Sequence, residues 1–418
     1  MKKFVLFVSL ALLCGCSLTK DAEPGAPSAD PDGRGGDVFV TPGTADESEG
    51  GGSTIGGEGG ESGENNEQSH AGKVTAGEWR DLDNWLFWSN LMTNTQSDQE
   101  GSDFTIYSEY WGFFTNNRVA VRVTNANGEP QKDVPVQLVR TNGGVLYEAR
   151  TDNKGQTNLW ISLTQLQQNV DATTLALVVN GMEQNQPVEV TKWGEEPKWN
   201  ECTASVTAAK NIDIAFIVDA TGSMDDEIAF LKADLTNIIS TVSGKHTDAI
   251  IRTAALFYRD EGDDYLTRES DFSSNVSTTK AFIEEQYASG GGDYPEAVHT
   301  ALEKGLQQLS WNEQNSIRLA FMLLDAPPHK QADVIASLQK SIPLYAKRGI
   351  RIIPVAASGV DKPTEFFLRF AAIATDGTYV FLTNDSGIGG EHIAATVGDY
   401  EVELLNELIV RLIDQYLQ

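Results

Sequence analysis

Hydrophobic spacing follows four patterns along the chain, and each predicts a different kind of element. Phe4–Cys14 is an apolar run far shorter than the roughly 20 residues a membrane-crossing helix needs. Trp79, Leu82, Trp85, Leu86, Trp88 and Leu91 then recur mostly at three- and four-residue steps, which predicts one amphipathic helix inside residues 78–102. From 103 to 195 the period becomes two. Val119, Val121 and Val123 alternate with Arg118, Ala120 and Arg122, and Asn127-Gly128, Gly143-Gly144 and Asp152-Asn153-Lys154-Gly155 supply turns, which predicts a small all-β sandwich. Over residues 208–418 apolar strands alternate with helical periods, the pattern of an α/β, doubly wound (Rossmann-like) sheet covered on both faces. Its predicted strands include Ile212–Val218, Ile250–Tyr258, Leu319–Leu324 and Ile350–Val355. Ile228, Leu231, Leu235, Ile238 and Val242 mark its first helix.

Composition changes the picture mainly at the N-terminus. Residues 17–78 hold 15 of the 38 glycines and few large apolar side chains, so 16–77 is expected to be a disordered acidic tether. The whole chain carries 60 Asp and Glu against 31 Lys and Arg, a formal charge of −29, which argues against nucleic acid as a partner. Lys2 and Lys3 ahead of the short apolar run are the pattern of a secretory signal. The run ends in Leu13-Cys14-Gly15-Cys16, which resembles a bacterial lipobox. That resemblance implies that residues 1–15 are removed and Cys16 is lipidated, so the protein touches the membrane through its lipid anchor only. Ser17, where an Asp would retain such proteins in the inner membrane, points to the outer membrane or cell surface, with inner-membrane anchoring as the alternative. Cys202 is then left without an intrachain partner and is expected to be buried.

The candidate chemistry lies where strands of the C-terminal domain end, the edge at which such sheets bind ligands. Asp219-Ala220-Thr221-Gly222-Ser223-Met224 closes the first strand. Gly290-Gly291-Gly292-Asp293-Tyr294-Pro295-Glu296 opens a later helix, and Leu324-Asp325-Ala326-Pro327-Pro328-His329 ends a central strand. Carboxylates and hydroxyls without a converging His or Cys make a hard oxygen site, suited to Mg²⁺, Mn²⁺ or Ca²⁺ rather than zinc.

Together the three loops resemble the von Willebrand factor A domain and its metal-ion-dependent adhesion site, whose first loop reads Asp-x-Ser-x-Ser. The resemblance covers roughly 208–418 and implies a metal held by Thr221 and Ser223, with Asp219 acting through water and Asp325 as the third-loop carboxylate. The family's second-loop threonine is absent. Gly292 stands in its place, and the adjacent Asp293 is the expected replacement ligand. In the family, a Glu or Asp from a protein partner completes the metal's shell. The stretch from Val119 to Trp160, with its NGEP and TDNKG turns, resembles carboxypeptidase regulatory-like and immunoglobulin-like modules of bacterial surface proteins, a likeness of fold without chemistry.

The function expected from these features is a lipid-anchored surface protein that binds a protein ligand through a cation and has no catalytic turnover. Two alternatives stand beside it. One is a structural scaffold with a degenerate metal site. The other is an aspartyl-phosphate enzyme, because Asp219-Ala220-Thr221-Gly222-Ser223 echoes the loop of P-type phosphoryl-transfer ATPases. Against the enzyme, the later loop reads Asp325-Ala326-Pro327-Pro328 rather than Gly-Asp-Gly. His70, His246, His299, His329 and His392 are expected to be surface or packed side chains, and Arg259–Asp264 a solvated acidic loop.

Overall fold

The computed structural model describes residues 71–93, 102–166, 169–207 and 211–417. The described residues form one compact unit. The signal segment, Cys16 and nearly all of the expected tether lie outside the described residues.

The first described element is a strand, β1 (Thr75–Trp79), followed by helices α1 (Trp85–Leu91) and α2 (Phe104–Trp111). The single helix expected from Trp79 onward is therefore a strand, a turn and a shorter helix. Gly77 explains the difference. It lies against the Phe381 and Tyr400 rings, where an added Cβ would come within 2.7 Å of both. This close fit seats β1 antiparallel beside a strand some 300 positions later, and no local periodicity reports such a partner.

Two four-stranded sheets follow. They are built from β2 (Asn117–Thr124), β3 (Pro135–Arg140), β4 (Val145–Arg150), β5 (Gln156–Trp160), β6 (Leu175–Val179), β7 (Met182–Glu183), β8 (Thr191–Lys192) and β9 (Trp199–Thr203). One sheet runs β5-β2-β8 with β9 also pairing β2, and the other runs β4-β3-β6-β7. Alternate residues Val119, Val121 and Val123 of β2 and Val136 and Leu138 of β3 are fully buried in one apolar cluster. Cys202 in β9 is buried, and its thiol is pushed up to about 11 by burial.

The remaining elements are β10 (Asn211–Asp219), α3 (Ile228–Lys245), β11 (Ile250–Tyr258), β12 (Thr267–Ser273), α4 (Val276–Glu284), α5 (Val298–Gln307), β13 (Ser316–Leu324), α6 (Ala332–Lys347), β14 (Ile350–Ala356), α7 (Lys362–Ala374), β15 (Tyr379–Leu382), β16 (Glu403–Leu404) and α8 (Leu405–Leu417). They form an eight-stranded sheet in the order β12-β11-β10-β13-β14-β15-β1-β16. Strands β11, β10, β13, β14 and β15 run parallel. Strand β10 is buried on both faces. Its Ile212, Ile214, Phe216 and Val218 join a cluster with α3, α4 and α8, while Ala215 and Ile217 face α5, α6 and α7.

The second of these clusters is continuous with the core of the two smaller sheets. Buried polar ties reinforce the join. The Arg369 guanidinium on α7 donates to Asp81 at 2.9 Å and to Glu365 at 3.2 Å. Asp376 accepts from Thr157 Oγ1 at 2.7 Å and Asn158 Nδ2 at 2.6 Å. Arg318 donates to Asp133 at 2.9 Å. Gly377 shows how tightly this region is packed, since an added Cβ would lie 1.8 Å from the Ile352 carbonyl oxygen. Replacing it (Gly377→Ala) is expected to cost about 1–3 kcal/mol or to prevent folding, checked by denaturant unfolding; an unchanged midpoint would contradict this packing.

Candidate metal centre

The register of the parallel strands decides which loops meet. Val218 on β10 lies beside Leu323 on β13, so Asp219, the last residue of β10, and Asp325, the first beyond β13, sit at neighbouring strand ends. After Asp219 the chain makes a single 3₁₀ turn, Gly222–Met224, before α3 begins. This tight path folds the first loop back on its own carboxylate. Thr221 donates to Asp219 Oδ1 through its backbone N–H at 2.9 Å and its hydroxyl at 2.7 Å, and the Thr221 and Ser223 hydroxyl oxygens lie 3.2 Å apart.

The second loop is strapped across the first. Ser289 N–H donates to the Ala220 carbonyl at 3.0 Å and Gly222 N–H to the Gly290 carbonyl at 3.1 Å. Glycine is required at that crossing, because a Cβ on Gly222 would stand 2.9 Å from the Gly290 oxygen. Gly290 and Gly291 both take positive φ, which turns the chain inward again. The third loop meets the second where Glu296 N–H donates to the Pro327 carbonyl at 2.8 Å.

Three carboxylates end up buried here. Asp219 is fully buried, Asp325 is 5% exposed and Glu296 2% exposed. One oxygen of each, Asp219 Oδ2, Asp325 Oδ1 and Glu296 Oε2, makes no hydrogen bond of ordinary geometry among the described residues, with the Tyr258, Ser223 and Thr221 hydroxyls respectively near enough to oppose the rise of each carboxyl. A buried carboxylate oxygen without a partner is costly, and burial accordingly raises all three pKa values. Burial and then the Asp325 charge lift Asp219 well above the usual carboxylate range, against the Thr221 hydrogen bonds. Burial also lifts Asp325, with Ser223 opposing the shift and Glu227 adding to it. Glu296 is pushed up to about 9 by burial, then by Asp219, Asp260 and Asp325.

Of the sequence-predicted residues, the structure gathers Asp219, Thr221, Ser223 and Asp325 at the carboxyl ends of β10 and β13. Asp293 is exposed in the second loop, and the inward-facing carboxylate of that loop is Glu296. Sequence reasoning missed Glu296, although a glutamate directly ahead of the apolar Ala297-Val298 start of α5 was a signal. Arg259 was also missed. It is 1% exposed rather than part of a solvated loop, and its guanidinium braces the first two loops by donating to the Ala220 carbonyl at 3.0 Å and the Tyr287 carbonyl at 2.9 Å. His329 pairs with Asp260 at 2.7 Å, and the buried His392 pairs with Glu227 at 2.9 Å.

Among the described residues, no three His, Cys, Asp or Glu side chains are grouped closely enough to hold a metal ion alone. A cation at this site therefore needs hydroxyl and water oxygens as well as carboxylates. That mixture is the chemistry of a hard divalent ion. In donor chemistry, though not as a cluster of three carboxylates, the partnerless oxygens of Asp219, Asp325 and Glu296 and the paired hydroxyls of Thr221 and Ser223 suit such an ion.

Residues 213–361 match the family model of the von Willebrand factor A domain. Two curated proteins are each similar to about a third of the chain. A putative ariadne-like RING finger protein, R811, of Acanthamoeba polyphaga mimivirus is 32% identical over 131 residues, 31% of this chain and 12% of that protein. The alpha-protein kinase vwkA of Dictyostelium discoideum is 33% identical over 127 residues, 30% of this chain and 20% of the kinase. The chain thus spans a fifth or less of these relatives. Among solved structures, the pilus adhesin SpaC of Lactobacillus rhamnosus GG in its open conformation aligns over 41% of this chain and 27% of its own, at 13% identity and a TM-score of 0.33, too low to bear on the fold.

Proposed function

We propose that this protein binds a divalent cation, Mg²⁺ or Mn²⁺ with Ca²⁺ as a further candidate, through its von Willebrand factor A domain, and through that cation a protein ligand offering a Glu or Asp carboxylate. The observation that carries this reading is the set of buried, partnerless oxygens of Asp219, Asp325 and Glu296 beside the Thr221 and Ser223 hydroxyls. Thr221 and Ser223 bind the ion directly, and Asp219 and Asp325 balance its charge. Glu296 takes the second-loop place first expected of Asp293. The protein's side chains leave the octahedral shell incomplete, which lets a partner's carboxylate replace a water. No catalytic turnover is part of this function. The fold is read as a doubly wound α/β domain joined to a β-sandwich made of the two smaller sheets. Lipidation at Cys16 would hold it at the bacterial outer membrane or cell surface.

Calorimetric titration of Mg²⁺ and Mn²⁺ into residues 64–418 tests the site. Binding near one cation per chain is expected, abolished in Asp219→Ala/Ser223→Ala. Affinity is expected to drop about tenfold or more in Glu296→Gln and to stay nearly unchanged in Asp293→Asn. Absence of binding by either metal leaves the scaffold alternative. A loss in Asp293→Asn with none in Glu296→Gln would restore Asp293 as the second-loop ligand.

A further inference from the structure

The face around the candidate metal centre carries an unusual excess of one charge. Asp225 and Asp226 lie two and three residues past Ser223, and both are exposed. Glu261 and Asp264 are exposed on the loop whose Asp263 accepts from Gly291 N–H at 2.9 Å, so that loop borders the second one. Asp293 is exposed in the second loop itself. Asp361 is exposed and its N–H donates to the Tyr294 hydroxyl at 3.1 Å, bringing a sixth carboxylate to the rim.

Nearby cations offset part of this charge without cancelling it. Arg259 is buried and held by two backbone carbonyls. The Lys330 ammonium sits 3.2 Å over the Tyr110 ring. Lys362 donates to Glu365 at 2.8 Å and to Thr396 Oγ1 at 2.7 Å. A divalent ion would not neutralise the rim either, because Asp219 and Asp325 offset its two charges before any partner arrives.

A lone carboxylate approaching this face meets an excess of like charge. Resting on the cation reading above, we infer that the partner is a protein surface on which Lys or Arg side chains flank the carboxylate that reaches the metal. The acid then supplies the coordinating oxygen, while the flanking bases pair with the exposed rim. The rim also discriminates: it rejects surfaces whose carboxylates come without bases, which covers most acidic patches.

Three synthetic peptides of equal length are the probes: a central Glu flanked by Lys, the same Glu flanked by Ser, and a central Gln flanked by Lys. Binding to residues 64–418 is followed by fluorescence anisotropy with saturating Mn²⁺, at low and at physiological salt. The Lys-flanked Glu peptide is expected to bind about tenfold or more tightly than either of the others, with a strong salt dependence and loss on chelation. In Asp225→Asn/Asp226→Asn/Glu261→Gln/Asp264→Asn, none of which is assigned to the ion, its advantage over the Ser-flanked peptide should vanish while Mn²⁺ still binds. Equal binding of the Lys- and Ser-flanked Glu peptides overturns the inference, and so does binding by none of the three when Mn²⁺ itself binds. Equal binding of the two Lys-flanked peptides, with or without metal, reduces the face to a nonspecific acidic patch and overturns it too. If calorimetry detects no Mn²⁺ binding, the cation reading has failed first.

Discussion

Saturating Mg²⁺ or Mn²⁺ is expected to raise the unfolding temperature of residues 64–418, with a gain that grows between about pH 5 and about pH 8. The sign follows from the buried carboxylates. Burial lifts Asp219, Asp325 and Glu296 above their ordinary values in the folded state. The native chain therefore retains protons that the unfolded chain has already released. The stability these groups contribute is fully present below the unfolded carboxylate range and is lost as pH rises through their folded values. Without metal, the protein should thus weaken from mildly acidic to mildly alkaline pH. A divalent ion binds the deprotonated carboxylates and removes that weakness. At about one hundred times its dissociation constant it adds about 3 kcal/mol, a shift of a few degrees for a unit of this size. Calorimetric melts across that pH range, with and without metal, provide the check. Identical melts with and without metal, or an equal metal effect in Asp219→Ala/Ser223→Ala, would remove the centre from the protein.

The second large effect concerns the boundary of the folding unit. A fragment beginning at residue 208, where the strand-and-helix pattern starts, is expected to aggregate or to unfold without a cooperative transition. Without β1, strand β15 loses the partner that pairs Ala76 with Leu382 and Trp79 with Tyr379, and a hydrophobic edge is left open. Helix α7 loses its aromatic cover. Trp88 stacks on Phe366 with ring centres 5.8 Å apart, Trp111 lies 5.5 Å from Phe367 and Phe113 stacks on Phe370 at 4.3 Å. Arg369, fully buried, loses Asp81. Asp81→Ala in residues 64–418 isolates that last term. It is expected to cost about 3–5 kcal/mol, because it strips a buried guanidinium of its main partner. Denaturant unfolding of the two proteins decides the matter. A 208–418 fragment with the same midpoint and slope as the longer chain would show that the earlier residues only decorate an independent domain.

These two expectations separate what local pattern carries from what it does not. Ile250–Tyr258 is a strand with the predicted limits, and Ile228, Leu231, Leu235, Ile238 and Val242 all lie buried on α3. Period, turn residues and strand length are local properties, and a sheet buried on both faces writes them strongly into its sequence. The first-loop chemistry is equally local, since Asp219, Thr221 and Ser223 lie within five positions.

Strand β1 was not legible for the opposite reason. Trp79, Leu82, Trp85, Trp88 and Leu91 satisfy helical spacing whether or not the chain turns between Trp79 and Trp85. Only pairing with residues about 300 positions away makes Thr75–Trp79 a strand. The Asp81–Arg369 tie, 288 residues apart, is hidden in the same way.

By itself the sequence determined the strand-and-helix alternation of the C-terminal half, the composition of the three loops and the acidic excess, because each depends on neighbouring residues or on counting. Tertiary structure decided the rest. Burial depends on what the whole chain stacks above a side chain, so only the fold could turn Glu296 inward and Asp293 outward, bury Arg259 beneath the site and make the N-terminal strand part of the central sheet.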